Sequence, residues 1–269
     1  MTLTSPRASV SATGSSVGDI LGVPCVSGDL DSAARAVVAM ALDRQGGYAC
    51  FCNVHVLMVA QGDPDLREAL RAARAVFADG APVAWLQRRR GIASASRIAG
   101  PDLMPLVFEL GQELGLRHYL LGSTKDVLHR CEQMLRRAFP AAEIVGASSP
   151  PFDDLHRRDN TAVLAAIRNA SPDLLWVGLG APKQELWMRS HADAVAPALA
   201  LGVGAAFDFV AGAMPRAPVW MQSRGLEWLY RMLREPRRLG GRYLRTNSAF
   251  VMRAAMELAR ERSAKRFGS

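Results

Sequence analysis

Between Asp19 and Met214 short apolar runs rich in β-formers alternate with longer segments whose apolar residues return every three or four positions. The short runs predict strands at Tyr48–Asn53, Arg117–Gly122, Glu143–Gly146, Leu174–Gly180 and Ala198–Gly204, each followed by a turn or a helix start. The longer period predicts helices over Asp31–Arg44, Pro64–Arg74, Pro101–Leu114, Lys125–Phe139, Arg157–Ala170 and Pro182–His191. Several of these place Pro or Asp in the first turn, where such residues are best tolerated. Alternating strands and helices predict an α/β protein, with a mostly parallel sheet covered by helices on both faces.

The run from Arg117, a strand, Gly122-Ser123-Thr124, a helix and a second strand, has the form of half a nucleotide-binding unit, so the sheet is expected to be Rossmann-like. In such sheets ligands gather at the carboxyl ends of the strands, where loops and helix N-termini offer unpaired N–H groups. That singles out Asn53 and His55, Asp79 and Gly80 behind a short apolar run, Gly122–Thr124, Gly178–Glu185 and Gly202–Asp208.

After Pro215 the pattern changes to two helical segments, about Val219–Arg234 and Leu239–Arg262, separated by Glu235-Pro236. Leu226, Trp228, Leu229, Met232 and Leu233 form an apolar stripe, with Arg224, Arg231, Arg234, Arg237 and Arg238 on the remaining surface. The chain thus divides into a leader over residues 1–18, expected to be disordered from its Ser, Thr, Ala and Gly content, a core over 19–215, and a basic amphipathic appendage over 216–269. No internal repeat is visible.

Charge sharpens this division. The net charge is +8, yet 13 of the 33 basic and only 4 of the 25 acidic residues lie after Pro215, leaving 20 and 21 before it. The whole positive excess belongs to the appendage, and such a block meets an anionic partner: nucleic acid, an acidic membrane surface or a phosphorylated ligand. No run reaches the ~18 apolar residues that cross a bilayer; Ala194 to Met214 is broken by Pro197, several glycines and Asp208 and reads as a buried strand and turn. The first 16 residues carry one basic residue and no apolar stretch, so no secretory signal is expected and the working compartment is the cytoplasm. Cys25, Cys50, Cys52 and Cys131 are too few for a disulfide framework and lack zinc-site spacing, which suits a reducing compartment. The five histidines are scattered, and no metal or cofactor is assigned.

Asp79 stands before Gly80, whose freedom allows a sharp turn that could aim the carboxylate into a cleft as a general base; Asp-Gly is equally a plain turn. Gly178-Leu179-Gly180-Ala181-Pro182-Lys183-Gln184-Glu185 follows a strand and opens a helix, and Lys183 or Gln184 could reach a diphosphate or sugar hydroxyl. Its spacing is neither a dinucleotide fingerprint nor a Walker loop. In Gly202-Val203-Gly204-Ala205-Ala206-Phe207-Asp208 a second glycine turn could bring Asp208 to a ribose or base, or only pack a helix on the sheet. Arg97, ahead of Gly100-Pro101-Asp102, is either a substrate-binding cation or a solvated loop residue.

These fragments in order, Asn53-x-His55, Ala78-Asp79-Gly80, Arg97-x-x-Gly100-Pro101-Asp102, Leu121-Gly122, the Gly178–Glu185 run, Gly204-x-x-Phe207-Asp208-Phe209, Arg216-Ala217-Pro218 and Gly225-Leu226-Glu227-Trp228-x-x-Arg231, resemble the WecG/TagA/CpsF glycosyltransferases over about Gly28 to Arg245. The resemblance implies an inverting, metal-independent transfer of a hexose-type sugar from a UDP-sugar to a polyprenyl-diphosphate-linked sugar, in surface polysaccharide synthesis at the inner face of the plasma membrane. It makes Asp79 the catalytic base and puts Asn53, Arg97 and Gln184 around the sugar; the glycine turns at the strand ends add Gly122, Gly204 and Asp208 as further substrate-binding positions. It also makes the arginines of the appendage, Arg224, Arg231, Arg234, Arg237 and Arg238, contacts to the membrane and the UDP diphosphate. Phe51 stands where the family commonly has Thr, so the donor is open beyond N-acetylmannosamine, with UDP-glucose and UDP-glucuronate both eligible. The other readings are a nucleic-acid binder using the basic tail, disfavoured because Trp220, Trp228, Tyr230 and Tyr243 fall at amphipathic helical spacing, and a UDP-binding module without turnover. The apolar face of the tail fits a lipid surface or a second copy of the chain, as in a homo-oligomer.

Overall fold

The computed structural model describes residues 16–150, 160–218, 220–221 and 226–267. In chain order the elements are β1 (Ser16–Ile20), β2 (Val23–Ser27), α1 (Leu30–Leu42), β3 (Tyr48–Cys52), α2 (Val54–Ala60), α3 (Pro64–Ala72), β4 (Ala75–Ala78), α4 (Ala81–Arg89), α5 (Gly100–Gln112) and β5 (Arg117–Gly122). They continue with α6 (Lys125–Ala138), β6 (Glu143–Ser148), α7 (Thr161–Ala170), β7 (Leu174–Gly178), α8 (Lys183–Val195), β8 (Leu199–Gly202), α9 (Ala206–Val210), α10 (Glu227–Arg234) and α11 (Pro236–Phe267).

The strands form one sheet in the order β1-β2-β4-β3-β8-β7-β5-β6. Only the β1–β2 hairpin is antiparallel; every other neighbour is parallel. The parallel strands are buried on both faces, which is why they read as nearly continuous apolar runs. Alternate residues serve opposite cores. Ala49, Phe51, Phe77, Trp176 and Leu201 pack with α1, α5, α6 and α9. Tyr48, Cys50, Cys52, Val76 and Val177 pack with α2, α3, α4, α7 and α8. All four cysteines are buried and free.

Local chemistry starts the helices where the polar residues stand. Asp29 caps α1 by accepting from the Ser32 N–H at 2.7 Å, Asn53 caps α2 from Val56 at 3.1 Å, and Asp63 caps α3 from Leu66 at 3.0 Å with Pro64 behind it. Among the expected elements, the strands and helices of the core appear with ends shifted by a few residues, as hydrogen-bonded boundaries differ from pattern boundaries.

Several features differ from the sequence reading. β1 begins at Ser16, inside the segment assigned to a disordered leader, because its backbone pairs with β2 from Ser16↔Ser27 to Ile20↔Val23; the rest of that leader lies outside the described residues. β1, β2, β4, α2, α4 and α9 are not among the elements expected from the pattern, being short or directly abutting a strand. The proposed start of a helix at Arg157 lies outside the described residues, as do Val219 and residues 222–225. In the tail, Phe250 and Ala254 of α11 are buried in the core on the α2 face. None of the described helices is long and apolar enough to cross a membrane.

Candidate active site

A cavity of about 320 Å³ opens over the carboxyl ends of β3, β4, β7 and β8. That is where doubly wound sheets hold ligands, since loops leaving adjacent strands diverge there. Four turns converge on it: 53–56 after β3, 79–82 after β4, 180–184 after β7 and 202–206 after β8.

Asp79 is half-buried in the cavity wall. Its N–H donates to the Cys52 carbonyl at 3.0 Å, and the Ala78 carbonyl accepts from the Ile98 N–H at 2.9 Å, so the β4 turn is pinned on both sides. Gly80 then takes φ +119°, ψ 140°, open to glycine but strained for other residues, and the chain enters α4 at once. A Cβ on Gly80 would sit 3.9 Å from the Asn53 Cβ, which brings the two turns into contact.

Asn53 has two tasks. Its Oδ1 accepts from the Val56 N–H as the cap of α2, which holds the side chain in place, and the same side chain lines the cavity. Gln184, 3% exposed, is spent on the protein itself: Nε2 donates to the Gly202 carbonyl at 2.8 Å and to Glu185 Oε1 at 2.9 Å, while Oε1 accepts from the Gly204 N–H at 3.0 Å. It clamps the turn after β8 to the start of α8, which follows a cis Ala181–Pro182 bond. Gly204 (φ +56°) lines the cavity within that clamp.

Arg97 is a cavity residue whose charge is held in a ring. Its Nη2 lies 2.8 Å from Asp102 Oδ2 and 3.1 Å from Glu227 Oε2; Arg216 closes the ring at 2.5 Å from Asp102 Oδ1 and 3.7 Å from Glu227 Oε1. The four side chains are only 19–31% exposed, so the pairs are weakly screened. The ring joins the loop before α5, α5 itself, the segment after α9 and α10. The Arg216 guanidinium also lies over Phe209, 5.8 Å from its centroid. Glu227 and Trp228 of α10 and Asn247 of α11 thereby complete the cavity wall.

The remaining candidates fall elsewhere. Gly122 (φ +115°) faces β7, where an added Cβ would meet the Gly178 carbonyl oxygen at 2.5 Å, so its role is strand packing beside the cavity rather than lining it. Asp208 is on α9 toward α6, where its charge helps raise the Cys131 thiol, chiefly desolvated by burial, to about 12. Arg234 lies over the Tyr230 ring at 5.3 Å, and Arg237 is exposed on α11; neither borders the cavity. Arg224 lies outside the described residues, as do the side chains of Arg231 and Arg238. Phe51 is 4% exposed, packs on Phe77 with centroids 5.4 Å apart and floors the cavity.

Sequence reasoning placed none of Glu227, Trp228, Asp102 and Arg216 at the cavity, although all four stand in the fragments that carry the resemblance. Asn247 has no motif at all. Among the described residues no three His, Cys, Asp or Glu side chains converge as a metal-ligand set. Compared with known families, residues 18–264 match the one described as the Glycosyl transferase WecG/TagA/CpsF family.

Proposed function

The chain belongs to the WecG/TagA/CpsF family and is a glycosyltransferase of cell-surface polysaccharide synthesis, and from that premise we propose that it moves a hexose-type sugar from a UDP-sugar to a polyprenyl-diphosphate-linked glycan with inversion. The observation carrying this reading is the half-buried Asp79 in the wall of a cavity that also holds the Asn53 amide, the Gly204 turn and Arg97.

Asp79 accepts the proton of the acceptor hydroxyl as that oxygen forms its bond to the anomeric carbon. The bond from that carbon to the diphosphate breaks on the opposite side, UDP departs with the electron pair, and configuration inverts. Asn53 donates to a sugar hydroxyl. Gln184 acts through Gly202 and Gly204 by holding their turn. Without a metal, the charge developing on the diphosphate is balanced by arginines, whose bidentate N–H groups suit phosphate oxygens. Arg97 in the cavity wall is the nearest such group among the described residues, with Arg216 joined to it through Asp102 and Glu227, and the positive excess after Pro215 adds further cations. The Phe51 ring, in place of a hydroxyl, narrows the floor under the donor sugar.

The same basic region supports peripheral attachment to an anionic membrane, at the cytoplasmic face. Trp220, Leu233, Val251, Met252 and Met256 are exposed beside its arginines, as on surfaces that rest in a headgroup layer.

The test is transfer from a panel of UDP-sugars to a short-chain polyprenyl-diphosphate-sugar, with wild type and Asp79→Asn compared. Asp79→Asn should keep UDP binding and lower turnover by ~10²–10⁴, the usual worth of a general base. Undiminished turnover removes Asp79 from the mechanism. UDP binding without turnover of any donor favours the binding-module reading instead.

A further inference from the structure

A second cavity, of about 540 Å³, lies beside the first, walled by Trp85 of α4, Trp228 of α10 and Phe250, Val251, Ala254 and Leu258 of α11. Its volume is in the ~300–1,000 Å³ range of sites that hold organic ligands. Its chemistry is the reverse of its neighbour's: apart from Asn247, and the indole N–H groups of Trp85 and Trp228, every lining side chain is hydrocarbon. Val54, Pro82, Trp228 and Asn247 border both cavities. One ligand can therefore occupy both, polar at Asp79 and apolar beyond Trp228.

The groove exists because α11 presents small side chains to it. Ala254, Ala255 and Ala259 leave a trough against α4, while the neighbouring Phe250 is used to anchor the helix to the core. Trp85 is 41% exposed at its lip and Val251 65%. An apolar surface left open by a folded chain marks a site for an apolar partner.

We propose that this groove binds the hydrocarbon chain of the lipid-linked acceptor, at the end next to its diphosphate, while the acceptor sugar lies at Asp79. The inference rests on the transfer reading above and extends it to the chain-recognising residues. Continuity with the polar cavity is what selects a lipid chain over a protein segment: the apolar trough begins where the polar cavity ends, so its occupant is joined to the group that reacts. Arg89, whose guanidinium lies over the Trp85 ring at 5.3 Å, puts a cation at the outer lip.

The experiment is calorimetric titration of the full chain with farnesyl diphosphate and, separately, inorganic diphosphate. Farnesyl diphosphate should bind at least about tenfold more tightly, with the negative heat-capacity change of apolar burial. Ala255→Phe and Ala259→Phe, both at exposed positions of α11 and both filling the trough, should each weaken farnesyl diphosphate by about tenfold or more and leave inorganic diphosphate unaltered. Leu42→Phe, at an exposed position of α1 that borders neither cavity, should bind like wild type. Equal affinity for the two ligands, or groove variants that bind farnesyl diphosphate as wild type does, would overturn the assignment. So would a dimer in sedimentation that the two Phe variants dissociate, since the groove would then be covered by a second copy. If chain-dependent binding holds while no UDP-sugar is turned over, the groove stands as a lipid-diphosphate site and the transfer reading falls.

Discussion

Glu185 offers a quantitative test of how the site is braced. It is fully buried at the start of α8, accepts from Gln184 Nε2, and its Oε2 has no hydrogen-bond partner among the described residues. Burial pushes its pKa from the usual 4.5 to about 7, against the lowering effect of hydrogen bonds from Gln184 and from its own backbone N–H. Below pH 4.5 the carboxyl is protonated whether the chain is folded or not, so it imposes no charge penalty. As pH rises from 4.5 through 7 the unfolded chain releases its proton first, and folding stability is lost until both forms are ionised. At ~1.4 kcal/mol per pKa unit the loss amounts to about 3 kcal/mol.

Glu185→Gln keeps an oxygen for Gln184 and removes the titration. Its second polar atom still lacks a partner, which costs about 1–3 kcal/mol at every pH. The stability of Glu185→Gln relative to wild type should therefore climb by about 3 kcal/mol from pH 5 to 8, a shift on the order of 1 M in urea midpoint. Urea unfolding at pH 5, 6, 7 and 8 measures it. A difference that stays flat across that range would mean that the carboxyl holds the same charge folded and unfolded, and that the Gln184 clamp is built on a solvated anion.

Two further predictions concern the frame of the site. Asp102→Asn and Arg216→Ala, alone and together, should show a coupling of about 0.5–3 kcal/mol in a double-mutant cycle, with faster proteolysis between α9 and α10 in each single variant; additive effects and unchanged proteolysis would show that the ring does not hold the tail to the core. Gly122→Ala should destabilise by more than about 2 kcal/mol, since it meets the Gly178 carbonyl and keeps a left-handed φ, and a thermal midpoint equal to wild type would refute that packing.

The parallel core was legible because each of its strands is buried on both faces and so leaves an uninterrupted apolar run, as in Leu174–Gly178. β1 and β2 were not, for they form an edge hairpin whose order comes from pairing rather than from pattern. Asn53 and Asp79 were legible for a related reason. A polar residue directly after a buried strand must find a partner at the carboxyl end of the sheet, and both stand there.

Arg97 shows where that reasoning stops. Its type and its place before α5 pointed to a cation at the site, but its partner Glu227 lies 130 positions away, across the whole second half of the sheet. Only closure of the tail over the core brings them to 3.1 Å. A cation so enclosed between two carboxylates is neither a free anion receptor nor a solvated surface residue. It is the point at which the tail is keyed to the cavity.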